Sequence, residues 1–187
     1  QKITLEDIYT NNTFATDDLP SFHFMYNSDS IISMLTDQNG ASLQKYSFEN
    51  PDRIETILES RNLGEISSFD SYQFSSDESK IIVGTNSQKI FRRSSRADFY
   101  VYDRLTKRLS RIAAYKIQEP LFSPDGLKVA YAFENNLYVK DLPSGKTTQI
   151  TSDGQVNKII NGITDWVYEE EFYFVRAFEW NAGSDKI

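Results

Sequence analysis

Three glutamates in a row, Glu169, Glu170 and Glu171, stand among Trp166, Tyr168, Phe172 and Tyr173. Adjacent carboxylates repel one another, and apolar neighbours raise the cost of stripping water from them. A bound cation relieves both problems; the alternative is an acidic turn bathed in solvent. A second cluster, Lys89-Ile-Phe-Arg-Arg-Ser-Ser-Arg96, carries guanidinium groups. Their planar fork of donors suits carboxylate or carbonyl oxygens, unless the segment is simply a solvated hairpin tip. Other chemistries are missing. There is no cysteine, so disulfides, thiolate catalysis and Cys-zinc sites are excluded. The one histidine, His23, alternates with Phe22 and Phe24 and reads as a strand residue pointing away from the core. No Gly-x-Ser-x-Gly elbow or His-Glu-x-x-His site occurs. Gly145-Lys-Thr147 has Lys140 where a phosphate loop needs its first glycine. Nothing here calls for a cofactor or a metal.

The elements that would position these groups show up as a repeat. Phe24-Met-Tyr-Asn-Ser-Asp-Ser-Ile31, Phe74-Ser-Ser-Asp-Glu-Ser-Lys-Ile81, Phe122-Ser-Pro-Asp-Gly-Leu-Lys-Val129 and Trp180-Asn-Ala-Gly-Ser-Asp-Lys-Ile187 align, at intervals of 50, 48 and 58 residues. Each opens on an aromatic, passes through a Ser/Asp/Gly turn and ends on a β-branched residue. Strand-like runs follow: Ser30–Leu35 and Ala41–Phe48; Ala97–Asp103 and Leu109–Ala113; Leu127–Phe133, Leu137–Leu142 and Thr147–Thr151. Counting the strand that leads into each aromatic, a unit holds about four antiparallel strands, which is a β-propeller blade. An immunoglobulin-like array would need modules near 100 residues. The expected fold is all-β, a partial propeller of three to four four-stranded blades. Residues 1–20 form a lead-in, and blade units start near residues 21, 71, 119 and 177. The fourth unit stops just past its turn, so the ring is expected to be incomplete over residues 21–187.

Both charged clusters break the repeat, and function tends to sit where a scaffold carries residues it does not need. The longer third interval contains Thr164 and Asp165, either able to cap a short helix over 165–172 with glutamates in its first turns. The arginine cluster prolongs the strand that begins at Ile81 into a long projecting hairpin.

The 187-residue chain has 14% aromatic residues and a formal charge of −7, which argues against nucleic acid as partner. No apolar run approaches the roughly 18 residues of a membrane helix. No signal peptide is visible; in an exported protein it would have been removed before Gln1. Asn11-Asn-Thr13 is a glycosylation sequon, meaningful only in a eukaryotic secretory pathway.

Asn161-Gly-Ile-Thr-Asp-Trp-Val-Tyr-Glu-Glu-Glu-Phe172 resembles, nearly residue for residue, the glutamate motif of the dipeptidyl peptidase IV family in the prolyl oligopeptidase clan. Phe91-Arg-Arg-Ser94 with Tyr100-Val-Tyr-Asp103 resembles the family's segment carrying a substrate-binding arginine. Ala130-Tyr131 and Asn135-Asn-Leu-Tyr-Val-Lys140 are similar as well. The resemblance runs from Leu5 onward and is dense from Lys89 to Phe172. It implies that Glu170 and Glu171 clamp the N-terminal ammonium of a peptide, while Arg92, rather than Arg93, binds the carbonyl of its second residue. The catalytic serine, aspartate and histidine would lie in a C-terminal α/β-hydrolase domain, so these residues alone are not catalytic. The propeller would then serve as a ruler for a serine peptidase releasing dipeptides, with Pro or Ala preferred second. A secreted, periplasmic or cell-surface homodimer acting on free N-termini is implied too. The competing reading is a non-catalytic propeller that serves as a protein-interaction platform.

Overall fold

The structure is a computed structural model describing residues 2–11, 13–15, 22–26, 28–50 and 52–187. Part of the first repeat (Asn27), the middle of the sequon (Asn12), the end of the lead-in and the start of the first unit lie outside those residues. A short helix, α1 (Leu5–Tyr9), occupies the lead-in. Thr4 and Asp7 close its start as a capping box, their side chains bonding each other's backbone N–H at 3.0–3.1 Å.

Among the described residues twelve strands follow in three four-stranded antiparallel sheets, each in sequence order. The first comprises β1 (Phe22–Phe24), β2 (Ser30–Asp37), β3 (Gly40–Ser47) and β4 (Ile54–Glu59). The second comprises β5 (Ser71–Phe74), β6 (Lys80–Lys89), β7 (Ser95–Asp103) and β8 (Arg108–Arg111). The third comprises β9 (Gln118–Phe122), β10 (Lys128–Phe133), β11 (Asn136–Asp141) and β12 (Thr147–Gln149). Residues 177–187 form the fourth turn without a described strand. The fold is that of a partial propeller.

Alternation within the middle sheet explains how the three associate. Successive strand side chains face opposite ways. Ile81 and Val83 of β6, with Tyr100 and Tyr102 of β7, pack against Ile32, Leu43 and Leu58 of the first sheet. Ile82 and Val101 pack the other way, against Phe122, Val129 and Tyr131 of the third. A sheet buried on both faces needs unbroken apolar runs, and Ile81-Ile82-Val83 is one. The far face of the third sheet is lined by Ala130 and Ala132, both fully buried. The alanines leave room for Gly162, where a Cβ would already lie 3.4 Å from that of Ala132 and 3.6 Å from the Phe178 ring. The edge strand β1 is exposed along its whole length, and His23 lies over Phe74 of the next sheet, ring centroids 6.3 Å apart.

The aromatic-led turns are one structure used repeatedly. Ser75 N–H donates to Lys80 O at 3.0 Å, Ser123 N–H to Lys128 O at 2.9 Å and Asn181 N–H to Lys186 O at 3.1 Å. Inside each loop a short side chain accepts from the returning strand: Ser75 Oγ from Lys80 N–H (3.0 Å), Ser123 Oγ from Lys128 N–H (2.9 Å), Asn181 Oδ1 from Lys186 N–H (2.9 Å). The fifth position is left-handed in these three, at φ 57° for Glu78, 66° for Gly126 and 60° for Ser184; only the glycine adopts it without strain. That position also leans on the preceding turn. Tyr26 N–H donates to Glu78 Oε1 at 2.6 Å, Gly126 lies over Ser75, and Asp125 N–H donates to Ser184 Oγ at 3.0 Å. The turns therefore register one sheet against the next.

The serines inside these loops are expected to matter more than surface turn serines. Ser123 is fully buried, so Ser123→Ala strands the Lys128 N–H and should lower unfolding free energy by about 1–3 kcal/mol in urea titration. Ser144→Ala, which removes a similar serine–aspartate pair in the exposed β11–β12 turn, should cost under about 0.5 kcal/mol.

Candidate functional site

Two excursions leave this scaffold from different sheets. The first is the β6–β7 hairpin, paired from Lys80↔Asp103 out to Lys89↔Ser95, with a register shift between Thr85 and Gln88 where Asn86 is left-handed at φ 55°. Its base is held by Asp98, which pairs with Arg111, with Lys116 at 3.2 Å and with Asn86 at 3.2 Å. Burial pushes the Asp98 carboxyl up, but Lys116, Arg111 and Asn86 outweigh it and hold it below the usual range. At the tip Ile90 N–H donates to Ser94 O at 3.0 Å, turning the chain through Phe91, Arg92 and Arg93.

The second excursion rises from the third sheet. Asn136 Oδ1 accepts from Thr151 Oγ1 at 3.1 Å and from Gly154 N–H at 3.0 Å. A Cβ at Gly154 would fall 2.3 Å from Asn135 O, so only glycine permits that approach. Beyond it, Thr164 N–H donates to Val175 O at 2.8 Å, and Thr164 Oγ1 to Phe174 O at 2.9 Å, closing the neck of a loop. In that loop lies α2 (Trp166–Phe172), capped by Asp165 Oδ1 accepting from Tyr168 N–H at 3.0 Å.

The excursions meet. Arg92 Nε stands 3.5 Å from Glu170 Oε2, although the two are 78 positions apart in sequence. The Arg92 side chain is 74% exposed and that of Glu170 15%, so the guanidinium remains open to a ligand while the carboxylate is sheltered. Glu171, next on the helix, is exposed and makes no ion pair among the described residues. Glu169 points inward, 2% exposed, and its Oε1 accepts from the N–H groups of Arg93 (2.5 Å) and Ser94 (2.8 Å). Burial pushes the Glu169 carboxyl up; the neighbouring Ser94 hydroxyl, the bonds from the Ser94 and Arg93 amides and the Arg93 charge outweigh that and hold it below its ordinary value. The Arg93 guanidinium itself lies 4.1 Å over the Tyr173 ring. Beneath, burial raises the Glu119 carboxyl, Arg176 opposes the rise and Glu169 adds to it. Glu119 is left-handed at φ 50° just before Pro120, a strained conformation for a non-glycine residue. A cleft of about 750 Å³ lies alongside, between Phe91 and Ile90 of the hairpin, Phe133, and Trp166 and Val167 of α2.

Of the residues singled out from sequence, the structure places Arg92 beside Glu170 and puts Glu171 one step further on the same helix. Assigning the ligand to Glu170 and Glu171 leaves Glu169 to packing or another hydrogen bond, as found; its particular partners, the Arg93 and Ser94 amides, the stacking of Arg93 on Tyr173 and the burial of Glu119 have no signal in the sequence. Chemically, the site offers a sheltered and an exposed carboxylate for a cationic group and one guanidinium for an adjacent oxygen.

Known proteins resemble this chain in sequence and fold. The dipeptidyl peptidase IV (DPP IV) N-terminal region matches residues 75–187, and the chain belongs to that family. Bovine prolyl endopeptidase FAP is 32% identical over 187 residues, covering 99% of this chain and 24% of the relative. Cat dipeptidyl peptidase 4 is 39% identical over 117 residues, 60% of this chain and 15% of the relative. The crystal structure of Porphyromonas gingivalis dipeptidyl peptidase 4 superposes with a TM-score of 0.83 at 28% identity, covering 98% of this chain and 26% of that one. The chain thus spans at most about a quarter of these relatives.

The lowered Glu169 carboxyl sets a pH signature. A depressed folded value means its stabilisation is complete above the ordinary 4.5 and is lost as pH falls through the lowered value. Glu119, with a raised value, works in the opposite sense, so the readout must be local. Amide exchange at Arg93 and Ser94, corrected for intrinsic rates, should be slow at pH 6 and accelerate below 4.5; unchanged protection at pH 3 would contradict the assignment.

Proposed function

We propose that this chain is the substrate-orienting propeller portion of a serine exopeptidase that releases N-terminal dipeptides. Glu170 and Glu171 bind the peptide's terminal ammonium, whose three donors two carboxylates can share, and Arg92 donates to the carbonyl of the second residue. The approach of Arg92 to Glu170 across two separate excursions carries this reading. An exposed ion pair contributes about 0–1 kcal/mol, too little to explain two excursions built to bring it together. The names of the relatives support peptidase chemistry, supplied by a serine, aspartate and histidine in a hydrolase portion that follows. Selection of Pro or Ala at the second residue belongs to a pocket there. With the ammonium fixed, only the bond after residue two reaches the nucleophile.

The 35% identity to human prolyl endopeptidase FAP favours a second activity, cleavage within a chain, for which an ammonium clamp is not needed. The two are separable in the full-length enzyme. Glu170→Gln and Glu171→Gln should each lower kcat/KM on alanyl-prolyl p-nitroanilide by about ten- to hundredfold, the loss of a hydrogen bond to a charged group. An N-acylated substrate, having no ammonium, should not respond. Folded variants that keep wild-type rates on the free substrate would defeat the proposal.

A further inference from the structure

We propose that Glu169 is the positioning residue of this site: it touches no substrate but fixes where Arg92 stands. This rests on the assignment of Arg92 and Glu170 made above.

The Arg92–Glu170 contact cannot place the hairpin by itself. It is 3.5 Å long, with an arginine side chain three-quarters in solvent, and such pairs barely offset the entropy of holding a long side chain still. Something else must hold the tip, and the tip has only Ile90 N–H to Ser94 O as an internal backbone bond. Glu169 supplies the hold. One carboxylate oxygen gathers the N–H groups of Arg93 and Ser94. The first of these belongs to the peptide unit that starts at the Arg92 carbonyl. Gripping it fixes the plane on the C-terminal side of Arg92 and hence the direction of its side chain.

Helix geometry makes the division of labour possible. Neighbouring residues on a helix point about 100° apart, so Glu169 reaches the backbone of the hairpin, Glu170 the Arg92 side chain and Glu171 the solvent. The carboxylate that grips and the carboxylates that bind are thereby one rigid turn. Arg93 adds a second clasp through Tyr173, immediately after the helix. A charged acceptor suits this role, because bonds from N–H to carboxylate are shorter and about twice as strong as neutral ones.

A double-mutant cycle in the full-length enzyme, read as kcat/KM on alanyl-prolyl p-nitroanilide, tests this. Glu169→Ala should lower kcat/KM by about tenfold or more with Arg92 present, and by less than about threefold in an Arg92→Ala background, because Glu169 acts through Arg92. Glu169→Gln keeps an oxygen acceptor and should recover part of the loss. Where Glu169→Ala does not fold, the cycle is read with Glu169→Gln, whose smaller loss should likewise vanish without Arg92. Equal losses in both backgrounds, or no loss at all, would overturn the positioning role. Failure of the underlying site looks different: Arg92→Ala and Glu170→Gln would then leave the rate unchanged, whatever Glu169 does.

Discussion

The architecture depends on sheets that are apolar on both faces. The middle sheet sends Ile81 and Val83 to one neighbour and Ile82 to the other, so it can be satisfied only by sheets on either side. Burying one such side chain is worth about 1.5–3 kcal/mol, and the packing repeats at each interface. Radial stacking follows, because strand twist turns each sheet relative to the last. It also explains why the candidate site residues are not in the sheets. Every side chain of a doubly buried strand is committed to packing, and polar groups with work to do must be carried beyond the strand ends.

That constraint makes two long excursions from neighbouring sheets a natural way to build a site. Neither is stable alone: a two-stranded hairpin is marginal in water, and a two-turn helix is far shorter than the lengths at which isolated helices persist. Each is tied at its base, the hairpin by the charged bonds around Asp98 and the helix by the neck between Thr164 and Val175. Their ends then stabilise each other through Glu169 and Arg93. The acidic triplet, an electrostatic liability in isolation, is resolved by giving its members different partners: backbone amides, a guanidinium, and solvent.

Much of this could be read in the sequence, and the physical reason is locality. The repeated turns depend on residues within six positions of each other, so Phe-Ser-x-Asp announces them wherever it occurs, and even Trp180-Asn-Ala-Gly follows the same hydrogen-bond plan with an asparagine in place of serine. The Asp165 cap and the prolonged hairpin are equally local. What stayed hidden is non-local. Glu169, Glu170 and Glu171 are chemically identical, and nothing within the triplet says which one turns inward; that is decided by the arrival of a hairpin from another sheet. The left-handed Glu119 was illegible for the same reason, since no glycine or asparagine marks it. The helix α1 hid in a lead-in too short to show a periodicity, though Thr4 and Asp7 form its cap.

On the proposed reading, the arrangement also accounts for why a backbone grip is preferable to a side-chain lock. A site that counts residues must hold its reference points to well within the 3.3–3.6 Å that one residue spans. Locking the Arg92 guanidinium in a buried salt bridge would give that precision but consume the donors the substrate needs. A carboxylate on the neighbouring amides separates the two demands. It fixes the backbone from which Arg92 springs and leaves the guanidinium 74% exposed, with Glu170 close enough to orient it and too weakly coupled to withhold it.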